Sequence, residues 1–84
     1  MSDDIELLKK KIIYKSSYRG IKELDIILRS FVKKYINDLS NNDLNDLLNF
    51  LDNNDDDIFK FKQGIEENNI KKNNITNLFK NYSI

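Results

Sequence analysis

Apolar residues recur along this chain at three- and four-residue steps almost from end to end, while alternating patterns are nearly absent, which predicts helices and no sheet. Ile21, Leu24, Ile27, Leu28, Phe31 and Tyr35 form the longest such stripe. It predicts the clearest helix and the spine of the core. Before it, Ile5, Leu8 and Ile12, with Leu7 as a further candidate, line one side of a first helix. Ser2, Asp3 and Asp4 open that helix, and Lys9, Lys10, Lys11 and Lys15 load its C-terminal half. Charges of those signs suit the two ends of a helix dipole. The pattern stops between Ser16 and Gly20.

Asn37, Asp38 and Leu39 break the second pattern, and Ser40 offers an N-cap for a third, with Asp43 completing an approximate capping box. Leu44, Leu47, Leu48 and Leu51 make its apolar face. The run Asp52 to Asp57 is too charged to bury and places an N-cap before a fourth segment, Ile58, Phe59 and Phe61, which Gly64 ends. Ile75, Leu78, Phe79 and Tyr82 mark a last helix starting between Asn69 and Asn74. Short connections make neighbours antiparallel or steeply crossed. The expected fold is all-α: a compact five-helix bundle forming a single domain over residues 1–84, with every helix short except the second.

Length and composition narrow the chemistry. Eighty-four residues bury only about 60 to 65% of the surface an unfolded chain exposes, so the core is small. The sequence has no histidine and no cysteine, which removes the commonest general base, disulfides and thiolate metal sites. No catalytic residue and no metal site is expected, and the chain is not read as an enzyme. No apolar run approaches the roughly 20 residues of a membrane span, and acidic residues precede any basic one at the N-terminus. A reducing cytosol is the simplest compartment, though a chain whose transit peptide has been removed looks the same. Lys, Ile and Asn are favoured, and all three have A/T-rich codons, so the asparagines carry little functional weight.

The formal net charge is zero but uneven. Residues 1–35 hold nine basic and five acidic groups, residues 36–57 hold seven acidic and no basic ones, and residues 58–84 hold five basic and two acidic. Nucleic-acid binders present an unopposed basic face. A protein partner of mixed charge fits better. A small DNA-binding or regulatory helix-turn-helix is the alternative, but its recognition helix, Asn42 to Leu51, carries Asp43 and Asp46 and no cation. Asp55 to Asp57 lack the framework of a calcium loop and are read as capping and solvated charge.

One element exceeds what helix packing requires. Arg19, Gly20 and Glu23 form R-G-x-x-E between the first two patterns. Gly20 can end the first helix, since a positive φ costs glycine nothing, and it also leaves bare backbone on which a partner can lie. Arg19 and Glu23, four residues apart, either pair on the surface for about 0.3 kcal/mol or face a partner. Asp25 falls nearly opposite Leu24 and Leu28 and reads as a solvated charge or a lesser contact. Tyr14 and Tyr18, interleaved with Lys15 and Arg19, suit an amphipathic interface.

Two blocks, IIYKSSYRGIKELDIILRSF at Ile12 to Phe31 and FLDNNDDDIFKF at Phe50 to Phe61, stand in an order and spacing that resemble the small succinate dehydrogenase assembly factors, the flavinator family. The resemblance covers roughly Ile12 to Gly64. Tyr18 stands where a further arginine is common, Phe61 where tryptophan is usual, and the acidic loop lacks a proline often found there. The resemblance implies a five-helix protein that binds the flavoprotein subunit of succinate dehydrogenase and promotes covalent attachment of FAD to one of its histidines. Fumarate reductase is a further candidate client. It implies partner contacts at Arg19, Gly20 and Glu23, with Asp25 and Tyr18 as lesser ones, displayed outward for the flavoprotein. FAD is then the partner's cofactor, none being held stably by this chain. A free monomer, binding neither nucleic acid nor membrane, is expected in a bacterial cytoplasm or a mitochondrial matrix.

Overall fold

Polar residues at the ends of the apolar stripes decide where three of the helices begin. Ser40 Oγ accepts the amide of Asp43 at 3.2 Å, and Asn54 Oδ1 accepts that of Asp57 at 2.9 Å. A reciprocal capping box lies at Asn73 and Thr76, whose side chains each bond the other's backbone amide. The computed structural model describes residues 2–84, with side chains from Asp4 onward. Its helices are α1 (Ser2–Ser16), α2 (Lys22–Tyr35), α3 (Asn41–Leu51), α4 (Asp55–Lys62) and α5 (Asn74–Asn81). No strand occurs among the described residues. The side chains of Ser2 and Asp3, expected to open α1, lie outside the described set.

The five-helix bundle is as expected, with one correction of proportion. At 15 residues α1 is as long as α2 with its 14. The apolar stripe understates α1, because lysines of good helix propensity extend it without needing burial. α1 packs on α3 and α2, α5 lies across α3 and α4, and α2 touches α4. The radius of gyration is 12.1 Å, matching the roughly 12 Å of a compact chain this long.

Ile12, Leu24, Leu28, Phe31, Leu47, Ile58, Ile75 and Phe79 are almost wholly withdrawn from solvent. Phe31 stands at the hub, with its ring 5.0 Å from Tyr35, 5.3 Å from Phe79 and 5.3 Å from Tyr82. Phe79 also meets Phe50 at 5.3 Å. The short α5 thus seats its one phenylalanine between α2 and α3. Ile27, expected in the core, is only partly buried. Leu7 and Leu78 face solvent, because the inward sides of their helices are taken by Ile12 and by Ile75, Thr76 and Phe79.

Residues 63–73 are irregular. Gly64 adopts φ +82° and ends α4 as its sequence position suggests. Buried Ile70 fastens this segment to the core. Lys62 ties α4 to the end of α5, donating to the carbonyls of Phe79 (2.7 Å), Lys80 (3.0 Å) and Tyr82. A cation satisfies the free carbonyls of a helix C-terminus. Burial holds the Lys62 ammonium below its ordinary value of 10.5.

Candidate docking site

The α1–α2 junction owes its shape to two adjacent serines. Ser16 and Ser17 both turn their hydroxyls back onto the Ile13 carbonyl, at 2.8 and 3.0 Å, which helps to end α1 in place of further helical hydrogen bonds. The chain then reverses through Tyr18, whose φ is +58°. The left-handed turn therefore falls on a tyrosine. Gly20, expected to supply it, has no positive φ. Ile21 is extended and starts α2 with no side-chain cap.

Arg19 is the member of R-G-x-x-E that departs furthest from its expected setting. Its side chain is only 11% exposed and is turned inward. Nε donates to Asp55 Oδ1 at 2.7 Å, Nη1 to the carbonyls of Lys15 (2.7 Å) and Leu51 (3.0 Å), and Nη2 to that of Asn53 (3.1 Å). One guanidinium thus satisfies backbone acceptors near the C-terminal ends of α1 and α3 and pairs with the first residue of α4. Its charge is favourable at both helix ends. It is not displayed outward, and it forms no pair with Glu23.

Asp55 supplies the other half of the tie. Its second oxygen, Oδ2, accepts the Gly20 amide at 2.6 Å. Gly20 is needed here for room: a Cβ built on it would stand 3.1 Å from that same oxygen. Asp55 is itself held by Arg19, so it has little freedom to retreat. Lys15 pairs with Asp52 alongside, adding a second link from the end of α1 to the α3–α4 loop. The two sequence blocks are therefore one structural unit. The acidic run is more than capping and solvation, because Asp55 had been the missing residue of this site. Nothing local in the sequence marks Asp55 out from its neighbours Asp56 and Asp57.

Glu23, in the first turn of α2, remains exposed and makes no ion pair or side-chain hydrogen bond among the described residues. It borders an open groove with Ile27, Phe59, Lys62, Tyr82 and Ile84. Tyr18 is 89% exposed, and Tyr14 stands clear of the surface one turn before it. Asp25 is not the solvated charge its helical position suggested. Its Oδ1 is buried without a hydrogen-bond partner, and Oδ2 lies 3.9 Å from Arg29 Nη1.

A family model described as flavinator of succinate dehydrogenase matches residues 10–83, a span containing α2 to α5 and the whole Arg19–Asp55 tie. This chain belongs to that family. Three curated relatives, each named succinate dehydrogenase assembly factor 2, mitochondrial, support the assignment. The protein from Scheffersomyces stipitis is 37% identical over 57 residues, 68% of this chain and 38% of the relative. That from Aspergillus flavus is 33% identical over 57 residues, 68% of this chain and 20% of the relative. That from Meyerozyma guilliermondii is 39% identical over 54 residues, 64% of this chain and 40% of the relative. The chain therefore spans about two fifths or less of the length of these relatives. No solved structure is a significant match.

Flavinator membership does not favour the DNA-binding alternative, and neither does the fold. Its recognition helix would be α3, which packs on both α1 and α5 and carries Asp43 and Asp46 without a cation. No group of acidic side chains among the described residues is arranged to hold a metal ion. No helix of the described chain is long and apolar enough to cross a membrane.

Proposed function

We propose that this chain is an assembly factor that docks on the flavoprotein subunit of succinate dehydrogenase through its α1–α2 junction and promotes covalent attachment of FAD there. The observation that carries this reading is the rigid junction, in which Arg19 and Asp55 are spent on internal bonds while Glu23 and Tyr18 are left facing solvent. A preorganised surface loses little freedom on binding, which favours association.

The roles divide accordingly. Glu23 meets a donor on the partner, Gly20 keeps the surface low where the partner lies, and Tyr18 and Tyr14 supply aromatic area of the kind enriched at interfaces. Arg19 acts through the others as a positioning residue. Asp25, three-quarters covered, contributes at the margin of the surface.

Flavin attachment requires a partner histidine held against the isoalloxazine ring methyl. An assembly factor accelerates this by holding the partner in the competent geometry, since alignment alone can supply about 7–11 kcal/mol of barrier reduction. A sequence free of histidine and cysteine suits that role, with FAD bound by the partner and chemistry done by the partner's groups. The relatives' names place those proteins in mitochondria, which supports action in the mitochondrial matrix, with the bacterial cytoplasm as the corresponding compartment in a prokaryote. Fumarate reductase, whose flavoprotein poses the same chemical problem, is the second client to test.

Co-expression with the cognate flavoprotein subunit, followed by in-gel flavin fluorescence after denaturation, tests the proposal. Covalent flavin should appear with the wild-type chain and fall sharply with Glu23→Ala. Equal fluorescence with and without the wild-type chain would sink the proposal, and full fluorescence from a folded Glu23→Ala would remove that residue from the interface.

A further inference from the structure

The two sides of α2 carry different chemistry. Glu23 and Ile27 face the groove shared with α4 and the C-terminal segment. Ile26, Arg29 and Lys33, at steps of three and four residues, face a separate open groove of about 690 Å³ between α2 and α1. Across it stands Ile13, so that two isoleucines, 50% and 51% exposed, oppose each other from neighbouring helices.

Above this apolar pair lie two cations without firm partners. Arg29 is 63% exposed, and its single acidic neighbour, Asp25, is 3.9 Å away, beyond hydrogen-bond reach. Lys33 makes no ion pair or side-chain hydrogen bond among the described residues. No carboxylate among the described residues lines the groove. Elsewhere the fold uses its buried or half-buried cations, with Lys15 on Asp52, Arg19 on Asp55 and Lys62 on three carbonyls. Six of the seven acidic residues of the middle of the chain lie instead on α3, in the α3–α4 loop and in the first turn of α4.

We infer that the α1–α2 groove is a second docking site, occupied by an acidic segment of the flavoprotein partner that seats an apolar side chain between Ile13 and Ile26 and sets carboxylates against Arg29 and Lys33. Charge complementarity selects the acidic segment, because one unpaired and one loosely paired cation beside exposed aliphatic surface match an anionic amphipathic strip. Continuity selects the partner. Ser16 and Ser17 line the end of the groove and lead directly into Tyr18 and Arg19, so a protein resting on the junction reaches the groove without a gap. The inference rests on the docking reading above but uses residues outside the R-G-x-x-E element.

Isothermal titration calorimetry of the full chain against the purified flavoprotein subunit, at low and high salt, tests it. Arg29→Glu with Lys33→Glu should weaken binding by about tenfold or more and flatten its salt dependence, with thermal unfolding unchanged. Lys33→Glu alone, which leaves Asp25 its neighbour, should weaken binding about threefold. Unchanged affinity in both variants, with wild-type binding intact, overturns the groove and leaves the junction standing. No binding by the wild type overturns both. A wild-type dimer in light scattering that the double substitution converts to monomer, with affinity for the flavoprotein unchanged, would assign the groove to a second copy instead.

Discussion

The aromatic core and the Arg19–Asp55 tie hold the fold together by opposite means. Phe31, Phe50, Phe79 and Tyr82 pack by shape, and such a cluster can redistribute small losses among its neighbours. The tie depends on named atoms: one guanidinium, one carboxylate, three carbonyls and one amide. Removing any member leaves another buried and unpaired, which costs more than the bond itself contributes. The core is therefore the larger contributor to folding, while the tie contributes to folding and also fixes the surface that the folded chain presents.

Substitutions can break that division, and the largest effect should come from the core. Phe79→Ala removes the ring between α2 and α3 and should cost about 3–5 kcal/mol, read from urea unfolding. That approaches the whole stability of a small domain. Arg19→Ala should come next, at about 3 kcal/mol. Asp55→Ala should cost nearly as much, and the double variant should cost far less than the sum, since each partner is useless without the other. Additive losses would mean the two side chains stabilise the fold independently.

Gly20→Ala should cost about 1 kcal/mol, because crowding against Asp55 Oδ2 outweighs the smaller stabilisation from the lowered entropy of the unfolded chain. Pairing it with Asp55→Ala should erase that penalty, which a purely conformational role for the glycine would not allow. Glu23→Ala should shift stability by less than about 0.5 kcal/mol, yet reduce covalent flavin in the partner more than its stability effect explains. If Glu23→Ala and Phe79→Ala lose flavin attachment only in proportion to unfolding, core and docking surface are not separable.

Helix number, order and most of the core were legible from the sequence, because Leu24, Leu28, Phe31 and Leu47 obey a helical period and burial follows period directly. Ser40 and Gly64 were legible as caps through their residue types. What escaped depended on pairings between distant segments. Nothing local distinguishes Asp55 from Asp56 or Asp57, and only the fold brings one of them under Arg19. The same blindness put Arg19 on the outside, since an arginine beside a helix junction looks like surface until three carbonyls converge on it. Gly20 was misjudged for a different reason: a left-handed residue is normally glycine, but here the turn falls on Tyr18, two positions before it.

Asp55 also turns a surface glycine into an instrument. The chain has two glycines, and the amide of Gly20 points into a carboxylate although the residue itself is exposed. In a nitrogen–proton spectrum that amide should resonate apart from its fellow and exchange slowly with deuterium, against the habit of exposed loop amides. Its resonance reports whether the junction is closed in the free chain and stays closed once a partner arrives, with no label added to the interface.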